Sequence, residues 1–221
     1  MSKILLTIVG FGILVSLSFC KGKSNQNTES ESLRKTESVT KQIMNGDIIF
    51  QTSLSSQSQA IQAATGSKYS HMGIIYYLRG ELFVYEATQP VRLTMINKWI
   101  SSGKNGHYVI KRLRNAEEIL TKEVLVDMKS IGEKFKGKNY DLYFEWSDER
   151  IYCSELVWKI YNEALGIEIG KLEKLSDFDL ESEMVKKKMT ERYGENIPMN
   201  EKVISPGQMF DSELLVEVIS N

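Results

Sequence analysis

Along most of the chain, apolar positions come in short runs divided by polar turns, and the period of each run names the element it can form. Ile4 to Phe19 (ILLTIVGFGILVSLSF) differs, being an uncharged run that follows Lys3. It falls short of the roughly 20 residues of a comfortable bilayer span and reads as the h-region of a signal peptide. Lys21 to Gln42 is Ser, Thr, Asn, Gln, Lys and Glu with almost nothing apolar. Such a stretch cannot bury enough surface to offset the entropy of ordering, so it reads as a tether. The pattern divides the chain into a signal peptide (1–20), a polar tether (21–43) and one folded domain (44–221).

Within the domain, G-D-I-I-F at Gly46 to Phe50 predicts a buried strand. Ser53 to Ala64, with Gly66 just past its end, predicts a helix. His71 to Tyr77 and Leu82 to Thr88 are apolar, β-branched and aromatic runs flanking Arg79-Gly80, the signature of a two-residue hairpin. His107 to Leu113 predicts a third strand, and Ala116 to Phe135 one long amphipathic helix stopped by Gly137. An aromatic loop, Tyr140 to Tyr152, leads into a helix opened by Cys153 and closed by Gly166, and a further helix is predicted from Ser182 to Tyr193.

The 221 residues are 42% hydrophobic and 26% charged with a net charge of -1, which fits a single globular core and leaves no basic field for nucleic acid. With two cysteines and two histidines, and Cys20 outside the domain, a His/Cys metal site would have to recruit carboxylates, so neither metal nor cofactor is expected. Cys153 is left as a lone thiol without a disulfide partner.

The first turn of a helix stabilises a thiolate, because its unpaired N–H groups carry partial positive charge, and Cys153 takes that position. An imidazole beside it would complete the activation. Of the two histidines, His71 is favoured over His107, since it begins a hairpin strand that can face a helix packed on the sheet. With Arg79 and Gly80 as turn residues, Leu78 pairs with Glu81, Gly73 with Glu86 and His71 with Thr88. His71 and Glu86 are then diagonal neighbours on one face, roughly 7 to 8 Å apart, within reach of a carboxylate that would orient the ring. The Cys153 backbone N–H and a hydroxyl from Tyr140 or Tyr152 are the expected donors to an oxyanion. Asp47, Asp141, Asp148 and Glu155 read as structural, and the charges of Glu181 to Arg192 as a solvated helix face.

G-D-I-I-F at Gly46, Y-S-H-M-G-I at Tyr69, Y-E-A at Tyr85, G-K-N-Y-D-L-Y-F at Gly137 and Y-C-S-E-L-V-W at Tyr152 together resemble the YaeF/YiiX group. These are circularly permuted papain-like hydrolases related to NlpC-type cell-wall peptidases and to lecithin:retinol acyltransferase. The resemblance runs from about Gly46 to the C-terminus. It implies a papain-like α+β core, a small antiparallel, barrel-like sheet packed against the nucleophile helix, with Cys153 as nucleophile, His71 as base and Glu86 as the third polar member. Tyr140 corresponds to the substrate-site Tyr of NlpC-type enzymes. Separately, L-S-F-C at Cys20 resembles the lipobox of bacterial lipoproteins, with Phe19 where a small residue is usual, and implies acylation of Cys20.

The expectation is an exported, membrane-tethered cysteine hydrolase of the cell envelope, held through its N-terminal anchor and acting on peptide or peptidoglycan amides through a thioester. The alternatives are an acyltransferase or esterase using the same residues on lipids, and a binding module that has lost the chemistry.

Overall fold

The computed structural model describes residues 42–221. The expected signal peptide, the acylation expected at Cys20 and nearly all of the expected tether fall outside the described residues. Six antiparallel strands form one open sheet: β1 (Ile48–Ser53), β2 (His71–Leu78), β3 (Glu81–Glu86), β4 (Arg92–Met95), β5 (Gly103–Leu113) and, at the far edge, β8 (Leu215–Ser220). Their order is β4-β3-β2-β1-β5-β8. The sheet does not close, yet the α+β architecture with the helix that opens at Cys153 packed on it is the expected one. β6 (Glu173–Lys174) and β7 (Lys202–Val203) form a separate two-stranded ladder.

The hairpin follows the register its turn demands. Leu78 opposes Glu81 and Ile74 opposes Tyr85, and the turn residues take left-handed conformations, Arg79 at φ 52° and Gly80 at φ 88°. Gly73 is required by proximity: a Cβ there would lie 2.5 Å from the Val84 side chain and 3.3 Å from Glu86 Cβ. The missing side chain leaves Glu86 room to lean toward His71.

Helix α5 (Cys153–Leu165) passes through the middle of the domain. Every residue from Cys153 to Tyr161 is buried, because one side of the helix packs on β2 and β3 and another on α4 (Lys122–Glu133). The Ser154 hydroxyl donates to the Ile204 carbonyl at 2.8 Å and the Tyr161 hydroxyl donates to the Gly46 carbonyl. These bonds fix the start of α5 laterally and its far end against the sheet. Gly166, at φ 67°, ends it in the left-handed conformation that glycine adopts without strain.

Several boundaries depart from the sequence reading. Helix α1 is Ser58–Thr65, while Ser53 stays in β1. The Ser53 N–H bonds to the Ser70 hydroxyl at 2.9 Å, and Ser70 in turn meets the Ser58 hydroxyl at 2.6 Å, so these serines hold a turn before the helix can start. The long helix expected from Ala116 is two, α3 (Ala116–Ile119) and α4, because Thr121 caps the second by accepting from the Val124 N–H at 3.3 Å. β4, the short helix α2 (Ile96–Ser101) and β8 were not anticipated. α6 (Glu183–Tyr193), capped by Ser182, and α7 (Pro206–Phe210), capped by Ser205, complete the chain order.

Candidate active site

Cys153, His71, Glu86 and Tyr140 come together where the start of α5 meets the β2–β3 hairpin. His71 begins β2 and Glu86 ends β3, so the two-residue turn sets their diagonal, and His71 Nε2 lies 2.6 Å from Glu86 Oε2. That contact leaves Nδ1 as the ring nitrogen that can serve Cys153, whose sulfur acts on the imidazole. Cys153 itself is 2% exposed. The ring stacks on the buried Trp99 of α2 at 24° between planes, and this packing fixes its tilt. The Thr94 hydroxyl of β4 donates to Glu86 Oε1 at 2.5 Å, so both carboxylate oxygens are held.

The electrostatics follow from these contacts. Burial works to lower the pKa of His71, but hydrogen bonds to Cys153 and Glu86, with attraction to both, outweigh it and lift the imidazole to about 10. Burial pushes Glu86 upward, while the bond and the positive charge of His71, then Thr94, hold it below the ordinary carboxylate value. This arrangement favours imidazolium over imidazole, which is the partner a thiolate needs.

Tyr140 stands on the other side of Cys153, at the bridge that joins it to Ile151 just before α5. Its hydroxyl accepts from Gln57 Nε2 at 2.9 Å, and Tyr140 lines the same cavity as Cys153. Burial first, then the charge of Cys153, pushes its pKa well above the ordinary range, so Tyr140 stays protonated and able to donate. Tyr152, the residue before Cys153, is fully buried, and its hydroxyl accepts from the Ile204 N–H at 3.2 Å while its ring lines a cavity on the Cys153 side. His107 lies apart, its Nδ1 2.6 Å from the backbone oxygen of Asn221.

Two spaces meet at these residues. On the His71 side is an open groove of about 380 Å³ bordered by Ser55, Gln57, Ser70, Thr88, Gln89 and Tyr140. On the Cys153 side a cavity of about 80 Å³ runs under α1 and α6, walled by Ile61, Phe144, Leu175, Phe178, Val185 and Met189. Gln57 and Tyr140 border both.

Four contributors to the site were not singled out from sequence: Thr94, Trp99, Gln57 and Arg192. For Thr94 a signal exists, since the alternation of R-L-T-M puts it on the face shared with Glu86. For Arg192 the reading is corrected. Instead of lying on a solvated face, it is half-buried, donates to Gln57 Oε1 at 2.8 Å and lies over the Phe144 ring at 4.9 Å.

A cysteine at the start of a sheet-packed helix, faced by a histidine that precedes it in the chain, defines the permuted papain-like class. Residues 42–219 match the family described as permuted papain-like amidase enzyme, YaeF/YiiX, C92 family, and the chain belongs to that family of cysteine hydrolases. The uncharacterized protein YiiX of Escherichia coli K12 is 45% identical over 173 residues, covering 78% of this chain and 84% of YiiX. A crystal structure described as metalloprotein yiiX from Escherichia coli O157:H7 superposes with a TM-score of 0.78 at 44% identity, over 81% of this chain and 98% of that one. Among the described residues, no group of three or more His, Cys, Asp or Glu is placed to hold a metal ion.

Proposed function

We propose that this chain is an exported, membrane-tethered thiol amidase in which Cys153 is the nucleophile, His71 the acid and base, and Glu86 the group that orients His71. The 2.6 Å contact of His71 Nε2 with Glu86 carries the reading, because it commits the ring's other nitrogen to the sulfur. The Cys153 thiolate attacks the amide carbon, and negative charge moves to the carbonyl oxygen, opposite the Cys153 N–H and the Tyr140 hydroxyl. The imidazolium gives its proton to the departing amine and the C–N bond breaks, leaving a thioester. His71, now neutral, takes a proton from water; the hydroxide attacks the thioester, the acid leaves and the thiolate returns. Peptide or peptidoglycan-stem amides, reached through the open groove, are the favoured substrates. The apolar run ending at Cys20, with that cysteine as acylation site, supports export and anchoring in the cell envelope.

Iodoacetamide should alkylate Cys153 rapidly near neutral pH and roughly a hundred-fold more slowly in His71→Ala. A sluggish thiol indifferent to that substitution rejects the assignment.

One observation favours a second reading. The cavity beside Cys153 is walled mostly by apolar side chains and suits a short acyl chain, the substrate portion of a lipid esterase or acyltransferase. Incubation with muropeptides and with phospholipids, followed by mass spectrometry, separates the two. New amines support the amidase, and fatty-acyl transfer without amide cleavage supports the lipid enzyme.

A further inference from the structure

The Tyr140 hydroxyl can donate toward Cys153 only if its own proton is not already committed, and that depends on its other neighbour. Gln57 Nε2 is 2.9 Å from the Tyr140 oxygen, and Gln57 Oε1 is 2.8 Å from Arg192 Nη2. A guanidinium offers donors and no acceptor, so the amide oxygen must face Arg192 and the amide NH₂ must face Tyr140. The NH₂ donates, the Tyr140 oxygen accepts, and the phenolic proton is left uncommitted and free to turn toward Cys153. With the amide turned over, Oε1 would take that proton and two sets of donors would oppose each other across 2.8 Å.

We propose that Arg192 is a positioning residue for Cys153: by fixing the Gln57 amide it sets the direction of the chain Arg192–Gln57–Tyr140, so that Tyr140 donates to negative charge at Cys153 instead of to Gln57. The inference rests on the reading of Cys153 as nucleophile. Arg192 is suited to the task because it lies in the last turn of α6, is half-buried and is also held by the Phe144 ring, so its guanidinium has little freedom to leave. The other charged groups around the chain are Lys188, one turn earlier on α6, and His71 on β2 with Glu86 behind it. Lys188 pairs with Glu191 at 2.6 Å and His71 with Glu86, so neither takes the amide oxygen from Arg192.

The test is kcat/KM for p-nitrophenyl acetate, whose acyl group passes to the sulfur as nitrophenolate leaves and then to water, measured on the full chain. Tyr140→Phe should lose roughly ten- to a hundred-fold and Arg192→Met roughly ten-fold. Arg192→Met placed on Tyr140→Phe should cost less than about two-fold more, because the chain acts through the phenol. Arg192→Lys, still a donor without an acceptor, should recover most of the rate. Gln57→Glu, which keeps the bond to Arg192 but has no N–H, should be as slow as Tyr140→Phe. A loss from Arg192→Met of equal size with and without the Tyr140 hydroxyl, or a Gln57→Glu variant at the wild-type rate, overturns the proposal. Equal rates in the wild type and Cys153→Ala would instead overturn the nucleophile assignment on which it rests.

Discussion

Glu86 and Glu155 are both buried and each faces one cation, His71 at 2.6 Å and Lys159 at 2.8 Å, yet their carboxyls are pushed in opposite directions. Burial raises both. At Glu86 the bonds from His71 and Thr94 reach both oxygens and outweigh that cost, so the group stays ionised. At Glu155 the Lys159 ammonium lies close to Oε1 without hydrogen-bond geometry, and the Tyr152 N–H reaches Oε2 at a long 3.4 Å. Burial therefore prevails over Lys159, with repulsion from the buried Asp141 adding to it, and the carboxyl rises to about 8. A nearby cation does not by itself decide the charge state of a buried acid; its hydrogen bonds and the cost of burial count with it. The comparison also separates roles. Glu86 lies in contact with the imidazole, whereas Glu155, one turn into α5, braces the helix start that carries Cys153.

The largest effect is expected at Glu86. Glu86→Gln keeps the shape but cannot stabilise an imidazolium, so ester hydrolysis should fall about a hundred-fold, while Glu155→Gln stays within about three-fold of wild type. Kinetics on the two purified variants decide this, and equal losses would mean that both acids serve only to hold the fold.

The next effect lies in the pH dependence of stability. Glu155 has a folded pKa raised above its ordinary 4.5, so between pH 4.5 and 8 the folded state binds more protons than the unfolded one, and stability falls as pH rises across that window. Glu155→Gln should remove that decline and be about 1–2 kcal/mol more stable than wild type at pH 8, because Lys159 keeps Asp148 at 2.7 Å. Urea unfolding at pH 5 and pH 8 measures it. An unchanged slope would show that the Lys159 pair holds Glu155 ionised.

The same contrast explains what could be read from sequence. The His71–Glu86 diagonal was legible because Arg79-Gly80 sets the register of a local hairpin, and a period-two pattern with a known turn places side chains without reference to the rest of the fold. Cys153 was legible for a similar local reason, a helix start marked by its pattern and by Gly166 at its end. Gln57 and Arg192 meet across 135 positions of sequence, and no periodicity in either segment encodes that contact. The mixed charges of α6 look the same whether its last arginine faces water or the site. Likewise the break at Thr121 turned on a single capping hydroxyl, which an amphipathic pattern continuing through it conceals.

Thr94 should give the smallest effect and shows whether both oxygens of Glu86 matter equally. Its hydroxyl holds Oε1, the oxygen facing away from His71, through a buried bond of 2.5 Å. Thr94→Val removes that donor at nearly constant volume, and a bond to a charged acceptor contributes about 1.5 kcal/mol, so unfolding should become easier by about that much. The bond from His71 to Oε2 is untouched, and the stacking of His71 on Trp99 still fixes the ring, so ester hydrolysis should drop only about three-fold. Urea unfolding and kcat/KM on the same preparation separate the two quantities. If Thr94→Val instead matched Glu86→Gln in its kinetic loss with little change in stability, the orientation of the carboxylate, rather than its charge, would be what distinguishes Glu86 from Glu155.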